Sequence, residues 1–399
     1  MTLETDYLVV GAGAMGMAFA DVLMTETDAS ILLVDRGGRP GGHWNVAYPF
    51  VRLHQPSAFY GVNSRKLGSG AKDTTGWNAG LYELASGAEV VAYFDQVMHQ
   101  QFLPSGRVQY FPMCQYEGDG AFRSLLSGET HHVKVAEKTV DTTYMNVIVP
   151  SMRPPTYDVA EGVRCEPPNA LPTLDEPPAV YVIVGAGKTG IDAALWLLSN
   201  GVDPDSITWI RPRDPWLLDR AIMQPGREFF DAAVGGFAHR TEAAARATSV
   251  EDLFERLEAT GQLLRLDPDV TPTMYRCATV TQDEATQLRR ITDVVRQGRV
   301  QAITRDEIVL DEGSIGYPPG ALFIDCTADG LERRPVVPVF DGGTITVQTV
   351  RTCQQVFSSA FIAHIEAAVP DEARKNELCT VVPHPDSDID WLRTTLGDT

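Results

Sequence analysis

The sequence predicts an α/β protein with two Rossmann-like dinucleotide-binding domains, a small inserted antiparallel sheet and a helical insert. The main observation is a glycine-rich turn between an apolar strand and a helix, which occurs twice, at residues 11–16 and 185–190. Each turn is followed by a second apolar strand, as a βαβ unit requires. Apolar strands also alternate with helical periodicity along most of the chain, which is typical of parallel sheets covered by helices.

The first turn follows the strand Tyr7–Val10 and precedes a helix that runs to about Met24. In a G-x-G-x-x-G turn, the first glycine permits the tight turn, the second lets the backbone approach a pyrophosphate, and the third lets the helix pack close to the strand. An acid at the end of the next strand accepts hydrogen bonds from ribose hydroxyls. A buried βαβ unit without a ligand is the alternative. The residues predicted to bind this dinucleotide are Gly11, Gly13, Ala14, Met15, Gly16, Asp35 and Arg36.

The second turn differs at the end of its second strand, where Arg211 and Arg213 replace the acid. A guanidinium binds a 2′-phosphate through two hydrogen bonds, so this site is expected to prefer NADPH to NADH. Lys188, inside the turn, is expected to reach a phosphate as a point charge. The alternative is that the two arginines form surface ion pairs with Asp214 and Asp219. The residues predicted to bind NADPH are Gly185, Gly187, Lys188, Thr189, Gly190, Arg211 and Arg213.

A denser pattern follows the first βαβ unit. It consists of Gly41-Gly42-His43-Trp44, Tyr48-Pro49, Arg52, Pro56-Ser57 and Tyr60. This spacing resembles the FAD-binding segment of class B flavoprotein monooxygenases, which include the Baeyer–Villiger and flavin-containing monooxygenases. The chain departs from that pattern at Phe50, where the Baeyer–Villiger pattern has glycine, and at His54, where it has an aspartate beside the flavin. The family's linker fingerprint F-x-G-x-x-x-H is missing before the second turn, so the resemblance is to a divergent member.

The resemblance implies FAD at the first site and NADPH at the second. It implies that NADPH reduces the flavin, and that the reduced flavin forms a C4a-hydroperoxide that transfers one oxygen atom to a small organic substrate. The further FAD contacts that it implies are Gly42, His43, Trp44, Gln55 and Asp329. Asp329 belongs to a turn after the strand at 321–325, which is similar to the family's return to the flavin domain.

Side-chain donors near the flavin face are the candidate catalytic residues. Arg52 is the candidate for stabilising a peroxide anion electrostatically, and His54 for tuning or protonation, because an ordinary histidine pKa lies near neutrality. A structural salt bridge for Arg52 and a flavin-stacking or packing role for His54 are the alternatives. The full set of candidates is Arg52, His54, Gln55 and Asn63, with Tyr60 as a further donor.

Two other functions stay open beside the monooxygenase. An FAD-dependent NADPH reductase or oxidase that never transfers oxygen is favoured by the missing linker fingerprint. A non-catalytic flavin-binding protein is disfavoured by the second turn and its two arginines. The expected partners are a small-molecule substrate and molecular oxygen, and a homodimer is expected only by analogy with other two-dinucleotide flavoproteins.

The expected domain organisation has four parts. Residues 1–150 form the first part of the FAD-binding domain, and 151–178 a proline-rich linker. The NADPH-binding domain spans 179–320 with a helical insert at 225–299, and 321–399 return to the FAD-binding domain.

Apolar spacing predicts helices within residues 76–101, with Asn78 as a candidate cap, and over 283–297, with Thr281 and Glu284 as a capping box. Alternation after residue 107 predicts a small sheet. Its expected strands are 108–113, 121–126, 132–136 and 139–143.

Charge and composition restrict the partners and the location expected of the protein. The formal net charge of −20 argues against nucleic acid and anionic membranes as partners, because both require basic surface. The first strand begins by Tyr7, so no signal peptide is expected, and no apolar run is long enough to span a bilayer. The six cysteines are scattered without C-x-x-C, which predicts reduced thiols in a cytoplasmic protein and no metal site.

Overall fold

The computed structural model describes residues 2–275, 277–328 and 332–397. It confirms the predicted α/β class. In chain order the strands are β1 (Thr2–Val10), β2 (Ile31–Val34), β3 (Val108–Phe111), β4 (Cys114–Gly118), β5 (Ala121–Ser124), β6 (Thr130–Asp141), β7 (Asp158–Val159), β8 (Arg164–Glu166), β9 (Tyr181–Val184), β10 (Ile207–Ile210), β11 (Leu217–Asp219), β12 (Leu263–Leu264), β13 (Thr279–Val280), β14 (Val294–Val295), β15 (Val300–Ile303), β16 (Glu307–Leu310), β17 (Gly313–Gly316), β18 (Leu322–Asp325), β19 (Phe340–Asp341) and β20 (Thr344–Thr346).

The α-helices cover the sheets and form the insert. They are α1 (Ala14–Glu26), α2 (Gly87–Val97), α3 (Lys188–Ser199), α4 (Phe230–Arg246), α5 (Val250–Ala259), α6 (Gln282–Leu288), α7 (Gln355–Ala368), α8 (Glu372–Leu378) and α9 (Asp388–Gly397). None of the described helices is long and apolar enough to cross a membrane.

The first sheet has the strand order β19-β20-β6-β1-β2-β3, and the β4–β5 hairpin is attached through β5 to β6. Pairing is parallel from β20 through β6, β1 and β2 to β3. The chain's last third therefore adds its strands to the same sheet as the N-terminus. Helices α1 and α7 pack on one face of this sheet, and Phe19 and Ile362 are fully buried in their shared core.

The second sheet has the order β14-β10-β9-β18-β8 and is parallel throughout. Its strands β9 and β18 are buried along their whole length, and β10 is buried except at Thr208, as expected for parallel strands covered on both faces. A separate four-stranded sheet, β17-β16-β15-β7, lies against one face, and the short sheet β12-β11-β13 belongs to the insert. The second glycine turn follows β9, and the chain enters α3 from it.

Two expected helices are wrong in extent. The helix expected within 76–101 begins only at Gly87, where Ser86 and Glu89 form a capping box. Asn78 does not cap it; Asn78 is buried in the preceding loop, where its amide donates to Asp73 at 2.8 Å. Gly76 and Gly80 both have positive φ, so the chain turns where helical spacing of leucines predicted a helix.

The helix expected over 283–297 ends at Leu288, although its Thr281–Glu284 capping box is confirmed. Val294–Val295 instead forms β14, which extends the second sheet beside β10. The valine pair was interpreted as a continuation of the helical face, but β-branched residues also favour a sheet edge.

Two other expectations about strands need correction. The two strands expected at 132–136 and 139–143 are one strand, β6, which ends at Asp141, and β4 was not predicted. The proline-rich segment 151–178 was expected to be a plain linker, yet its β8 pairs with β18 and its β7 with β15. Its prolines stand outside these two short strands, so backbone donors remain for pairing.

Candidate active site

The first glycine turn is held by contacts that only glycine permits. Gly11 has φ of 100°, and a Cβ on Gly16 would lie 1.8 Å from the carbonyl oxygen of Gly11. A Cβ on Gly13 would find ordinary space, 3.6 Å from Gly42. Ala14 and Met15 form the first turn of α1, whose free N–H groups point at the turn. These features form a cradle for a pyrophosphate.

Asp35 closes the turn from the next strand. Its carboxylate accepts hydrogen bonds from the N–H groups of Ala12 and Gly37, both at 2.5 Å. Burial raises the pKa of Asp35, although these two donors stabilise the carboxylate. Arg36 is exposed beside it. The acid is therefore placed against the glycine turn, within the region that the sequence assigned to a ribose.

The segment that resembles an FAD-binding segment packs directly on the helix of the second turn. The Tyr48 hydroxyl donates to Asp192 at 2.7 Å, and the Phe50 ring stacks on Trp196 with centroids 4.8 Å apart. Phe50, which departs from the resembled pattern, thus fills the contact between the two domains. The segment's other aromatic anchor is Trp44, whose indole N–H donates to the Tyr60 hydroxyl at 2.7 Å.

His54 is enclosed by groups from both domains. The Thr279 N–H donates to its Nδ1 at 3.3 Å, so the ring proton of the neutral form is on Nε2, and the Thr279 hydroxyl donates to its carbonyl. Burial, together with the positive charges of Lys188 and Arg220, lowers the pKa of His54 to about 3. Near neutral pH His54 is therefore uncharged, with its ring N–H on Nε2, and the protonating role expected of it stays a prediction.

The pKa of His54 predicts a contribution to acid instability. An unfolded chain takes up a proton on histidine below about pH 6.5, whereas the folded chain does not until about pH 3. Unfolding is therefore favoured as the pH falls through this window, by up to about 1.4 kcal/mol per pH unit. We expect His54→Asn to flatten the fall in unfolding free energy between pH 6 and 4.5, measured by urea denaturation. The exposed His99→Asn variant is the control, and parallel curves for wild type and His54→Asn would contradict the prediction.

Arg220 is the polar centre of this region, and sequence reasoning missed it. It is 3% exposed, and its guanidinium donates to both carboxylate oxygens of Glu284 at 2.9 and 3.0 Å, to the His54 carbonyl at 3.0 Å and to Asn78 at 3.0 Å. It therefore joins α6, the loop before α2 and the FAD-binding segment. The one local sequence signal for this linking role is its position directly after an apolar strand.

The other candidate catalytic residues are not all brought together. Arg52 has an exposed side chain, and its carbonyl accepts a hydrogen bond from Lys188 at 3.3 Å. Gln55 follows His54 and is partly buried. Asn63 lies apart, because the next residue, Ser64, donates its N–H to Asp21 of α1 at 3.0 Å. Asp329 lies outside the described residues.

Two predicted FAD contacts, Gly42 and His43, lie over the first turn. Gly42 has φ of 57°, and a Cβ on it would lie 3.1 Å from the Cα of Gly13. His43 stacks on Trp44 with centroids 5.3 Å apart, and burial lowers the pKa of His43 to about 4. This stretch therefore covers the pyrophosphate cradle with a neutral side chain.

The second glycine turn has the same construction. Gly185 has φ of 119°, and a Cβ on Gly190 would lie 2.2 Å from the Gly185 carbonyl oxygen. Among the described residues, no atom lies within 4 Å of a Cβ built on Gly187, so this part of the turn leaves room for a ligand. Thr189 opens α3 beside Lys188, which forms an ion pair with Asp192. Lys188 is thus engaged within the protein rather than extended towards a phosphate.

Arg211 and Arg213 follow β10 and both have acidic partners. Arg211 is 4% exposed, pairs with Asp214 at 3.3 Å and stacks over Trp209; burial lowers its pKa to about 10. Among the residues that the structure describes, none accepts a hydrogen bond from its buried Nε. Arg213 is a third exposed and pairs with Asp386 at 2.9 Å. Both arginines thus form ion pairs, but the pair of Arg211 is buried rather than on the surface, and Arg213 pairs with Asp386 rather than Asp219.

The expectation of six reduced thiols is wrong. Cys277 and Cys353 form a disulfide across 76 residues of sequence, with Cα atoms 6.5 Å apart. The imidazole Nε2 of His384 lies 3.8 Å from the sulfur of Cys353. Sequence reasoning sought closely spaced cysteines, and nothing local marks a pair that only the tertiary fold brings together. The remaining cysteines, Cys114, Cys165, Cys326 and Cys379, are free.

Comparisons with known proteins agree with this architecture. A sequence model of the NAD(P)-binding Rossmann-like domain matches residues 9–49. The uncharacterized protein Rv2000 of Mycobacterium tuberculosis is 59% identical over 397 residues, which span 100% of this chain and 74% of the relative.

Solved structures with the same fold include two flavin enzymes. A cyclohexanone-bound cyclohexanone monooxygenase has a TM-score of 0.57 at 13% identity, covering 99% of this chain and 92% of that one. An oxidized steroid monooxygenase bound to NADP has a TM-score of 0.57 at 14% identity, covering 92% and 85%. The expected resemblance to class B flavoprotein monooxygenases is thus confirmed at the level of the fold. The chain belongs to the family of the mycobacterial protein Rv2000, built on the two-dinucleotide-domain fold of the class B flavin monooxygenases.

Proposed function

We propose that the protein is an FAD-dependent oxidoreductase that consumes NADPH. The observation that carries this proposal is the direct contact between the FAD-binding segment and the second glycine turn, through Lys188 and the Arg52 carbonyl at 3.3 Å. Two dinucleotide cradles that share one interface can bring a nicotinamide and a flavin together. Bound there, FAD would accept hydride from NADPH and pass the electrons on.

The residues of the first cradle fit FAD. Gly13 leaves room where a pyrophosphate approaches, α1 directs its N-terminal N–H groups at the same place, and Asp35 stands at the end of β2 for the ribose. Trp44, Gln55 and Tyr60 would hold the flavin side of the cofactor. Asp329 completes the set that the resemblance implies.

The second cradle fits NADPH through its open side. Of the residues that the structure describes, none fills the space around the Cβ position of Gly187, and none accepts a hydrogen bond from the buried Nε of Arg211. A 2′-phosphate would satisfy that donor. Arg213 would leave its partly exposed ion pair with Asp386 and bind the same phosphate. We infer that NADPH is preferred to NADH on these grounds.

We expect Arg213→Gln to lower the NADPH preference by about tenfold, because one charge-assisted hydrogen bond is worth about 1.5 kcal/mol or more. The preference is the ratio of kcat/KM for flavin reduction with NADPH to that with NADH. The value for NADH should stay within about twofold, and Arg123→Gln, at an exposed pair with Glu117, is the control. An equal loss with both nucleotides would contradict a role for Arg213 in reading the 2′-phosphate.

We propose further that the reaction is a monooxygenation, in which one atom of O2 reaches a small organic substrate. Arg52 is an exposed cation beside the contact of the two domains, and His54 offers a neutral Nε2–H donor at physiological pH. Both would stabilise negative charge that develops on oxygen. Gln55 is the neighbouring amide donor. Asn63, which lies next to the contact between Ser64 and α1, would be a more distant donor. An intracellular, cytoplasmic location and a homodimer belong to the same proposal.

A reductase or oxidase that transfers no oxygen is the second candidate. It is favoured by the missing linker fingerprint and by the disulfide that lies next to Thr279, a contact of His54. The insert around α4 and α5 carries no motif of the resembled family, so the proposal names no substrate beyond a small organic molecule.

Anaerobic reduction followed by rapid mixing with oxygen tests both levels of the proposal. Bleaching of bound flavin by NADPH supports the oxidoreductase, and no bleaching by either nucleotide would overturn it. A transient absorbance that differs from both oxidised and reduced flavin supports oxygen transfer. Direct reoxidation with stoichiometric hydrogen peroxide, in the presence of a panel of ketones, amines and sulfides, favours the second candidate.

A further inference from the structure

The disulfide between Cys277 and Cys353 joins two parts of the chain that the proposed function brings to the flavin. Cys277 stands two residues before Thr279, whose N–H contacts the ring of His54 at 3.3 Å. Cys353 stands two residues before α7, and Ser359 in that helix donates to the Met15 carbonyl, in the first turn of α1, at 2.6 Å. The disulfide therefore connects the segment assigned to the flavin with the helix that faces the pyrophosphate cradle.

The surroundings of the disulfide suit sulfur chemistry better than simple cross-linking. Both cysteines are partly exposed to solvent, whereas the free thiols of Cys114, Cys326 and Cys379 are buried. Cys353 precedes the N-terminus of a 14-residue helix, where the helix dipole stabilises a thiolate. The preceding residue, Thr352, has φ of 35°, which is uncommon for a β-branched side chain.

His384 supplies an acid–base group to this pair. Its Nδ1 lies 3.0 Å from the Pro385 carbonyl, to which it donates, so the lone pair of Nε2 faces the Cys353 sulfur at 3.8 Å. A neutral imidazole in this position can take a proton from a thiol and return it. Structural disulfides are uncommon in cytoplasmic proteins, where those that occur are usually catalytic or redox-sensing.

We propose that Cys277–Cys353 is a redox-active disulfide that accepts two electrons from the reduced flavin, with His384 as its proton donor and acceptor. This inference rests on the proposed function, because NADPH and FAD supply the electrons. With FAD bound, NADPH and a proton would together supply two electrons and two protons. Their transfer to the disulfide would break the S–S bond and leave thiols at Cys277 and Cys353, with NADP+ as the other product and FAD unchanged overall.

Electrons that reach this disulfide can pass to a second molecule without oxygen as the acceptor. The solvent-accessible dithiol would reduce a disulfide of a second molecule by thiol–disulfide exchange, which forms one new disulfide at Cys277–Cys353 and two thiols on the substrate. The chemical class of that substrate is a disulfide. The same three side chains, Cys277, Cys353 and His384, lie within reach of one another for a metal ion, which would require the disulfide to be reduced.

An anaerobic titration of the air-oxidised holoprotein with NADPH tests the inference. We expect about two equivalents of NADPH per flavin before the flavin stays bleached, because the disulfide and the flavin are each two-electron couples. After an acid quench and alkylation under denaturing conditions, peptide mass spectrometry should find Cys277 and Cys353 labelled only in the NADPH-treated sample. Cys277→Ser should need about one equivalent, and the control Cys165→Ser, at a free cysteine, about two.

The outcomes separate this inference from the proposed function. Bleaching after one equivalent, with Cys277 and Cys353 still unlabelled, would overturn the redox disulfide and leave the NADPH-dependent flavoprotein intact. No bleaching would overturn both. A purified protein with one bound metal ion per chain and both cysteines reduced would overturn the redox disulfide in favour of a metal site.

Apoprotein provides a readout that does not depend on loaded enzyme. In dithiothreitol-reduced apoprotein, Cys353 should react with iodoacetamide at pH 7 several-fold faster than Cys165, and His384→Gln should remove most of that difference. Equal rates in wild type and His384→Gln would exclude His384 from the proposed role.

Discussion

Replacing Gly16 with alanine should abolish FAD binding and destabilise the protein by about 3 kcal/mol or more. The new Cβ would lie 1.8 Å from the Gly11 carbonyl oxygen and 2.9 Å from its carbon. Both atoms belong to the backbone, so the clash is relieved only if α1 moves away from β1. That movement would open the core in which Phe19 and Leu23 are fully buried, and it would widen the pyrophosphate cradle.

Gly13→Ala separates ligand binding from packing at the same turn. Its Cβ would lie 3.6 Å from Gly42, which is ordinary van der Waals contact, so the apoprotein should melt within about 2 °C of wild type. The methyl group would still occupy the space through which a pyrophosphate approaches the backbone. We therefore expect the Kd for FAD to rise about tenfold or more, which corresponds to about 1.4 kcal/mol of binding free energy, and the FAD content after purification to fall.

The measurements are flavin absorbance per protein and urea unfolding of the apoproteins. Gly235→Ala, in α4 with no atom within 4 Å of the new Cβ, is the control for a glycine-to-alanine change in a helix. If Gly16→Ala bound as much FAD as wild type and were equally stable, FAD binding would not depend on the close packing of α1 against β1 at this glycine. If Gly13→Ala kept full FAD content, the first turn would not be the pyrophosphate site.

The features that the sequence predicts best are those fixed by local spacing. The two glycine turns and their following strands lie where the pattern places them, because three glycines at fixed intervals determine the backbone over six residues. The same holds for the capping box at Thr281 and Glu284. These features require no knowledge of distant contacts, so one sequence is enough to find them.

Apolar periodicity predicts the wrong secondary structure where the same spacing of residues fits two different conformations. Leu81 and Leu84 recur at helical spacing but lie in a loop, in which Leu84 is 5% exposed. Gly76, Gly80 and the Ser86–Glu89 box together mark where the helix does begin. The Val294–Val295 pair likewise satisfies either a helical face or an edge strand, and only the neighbouring β10 decides between them.

The functional residues that were missed depend on contacts between distant parts of the chain. Arg220 meets His54 across 166 residues and Asn78 across 142, and Cys277 meets Cys353 across 76. No local motif announces such pairs. Conversely, the prediction that His54 titrates near neutrality used the pKa of an exposed histidine, whereas the enclosure that lowers it comes from the other domain.

Arg220 is the second position at which a single substitution should have a large effect. We expect Arg220→Met to destabilise the protein by about 3–5 kcal/mol, because it leaves the carboxylate of Glu284 largely buried without its partner. Glu284 is 12% exposed in its side chain. The Thr279 carbonyl would also lose the donor from Arg220, and the His54 carbonyl would keep only the donor from the Thr279 hydroxyl.

The loss should extend to the proposed cofactor. The guanidinium fixes the His54 backbone and the loop at Asn78 at once, so its removal frees the FAD-binding segment from the insert. Arg220→Lys should recover little of this, because an ammonium cannot bind both Glu284 oxygens and two further acceptors in a fixed plane. Flavin release during unfolding should therefore occur at lower urea concentration in both variants than in wild type.

A double-mutant cycle distinguishes the buried charge from the lost contacts. Arg220→Met combined with Glu284→Leu removes the uncompensated carboxylate, so the double variant should be more stable than Arg220→Met alone. Arg123→Met, at an exposed pair with Glu117, should cost about 1 kcal/mol or less and controls for loss of an arginine. If Arg220→Met lay within about 1 kcal/mol of wild type, the link between the insert and the FAD-binding segment would not depend on this side chain. If the double variant were less stable than the sum of its parts, the cost would come from the contacts to His54 and Asn78 rather than from the buried charge.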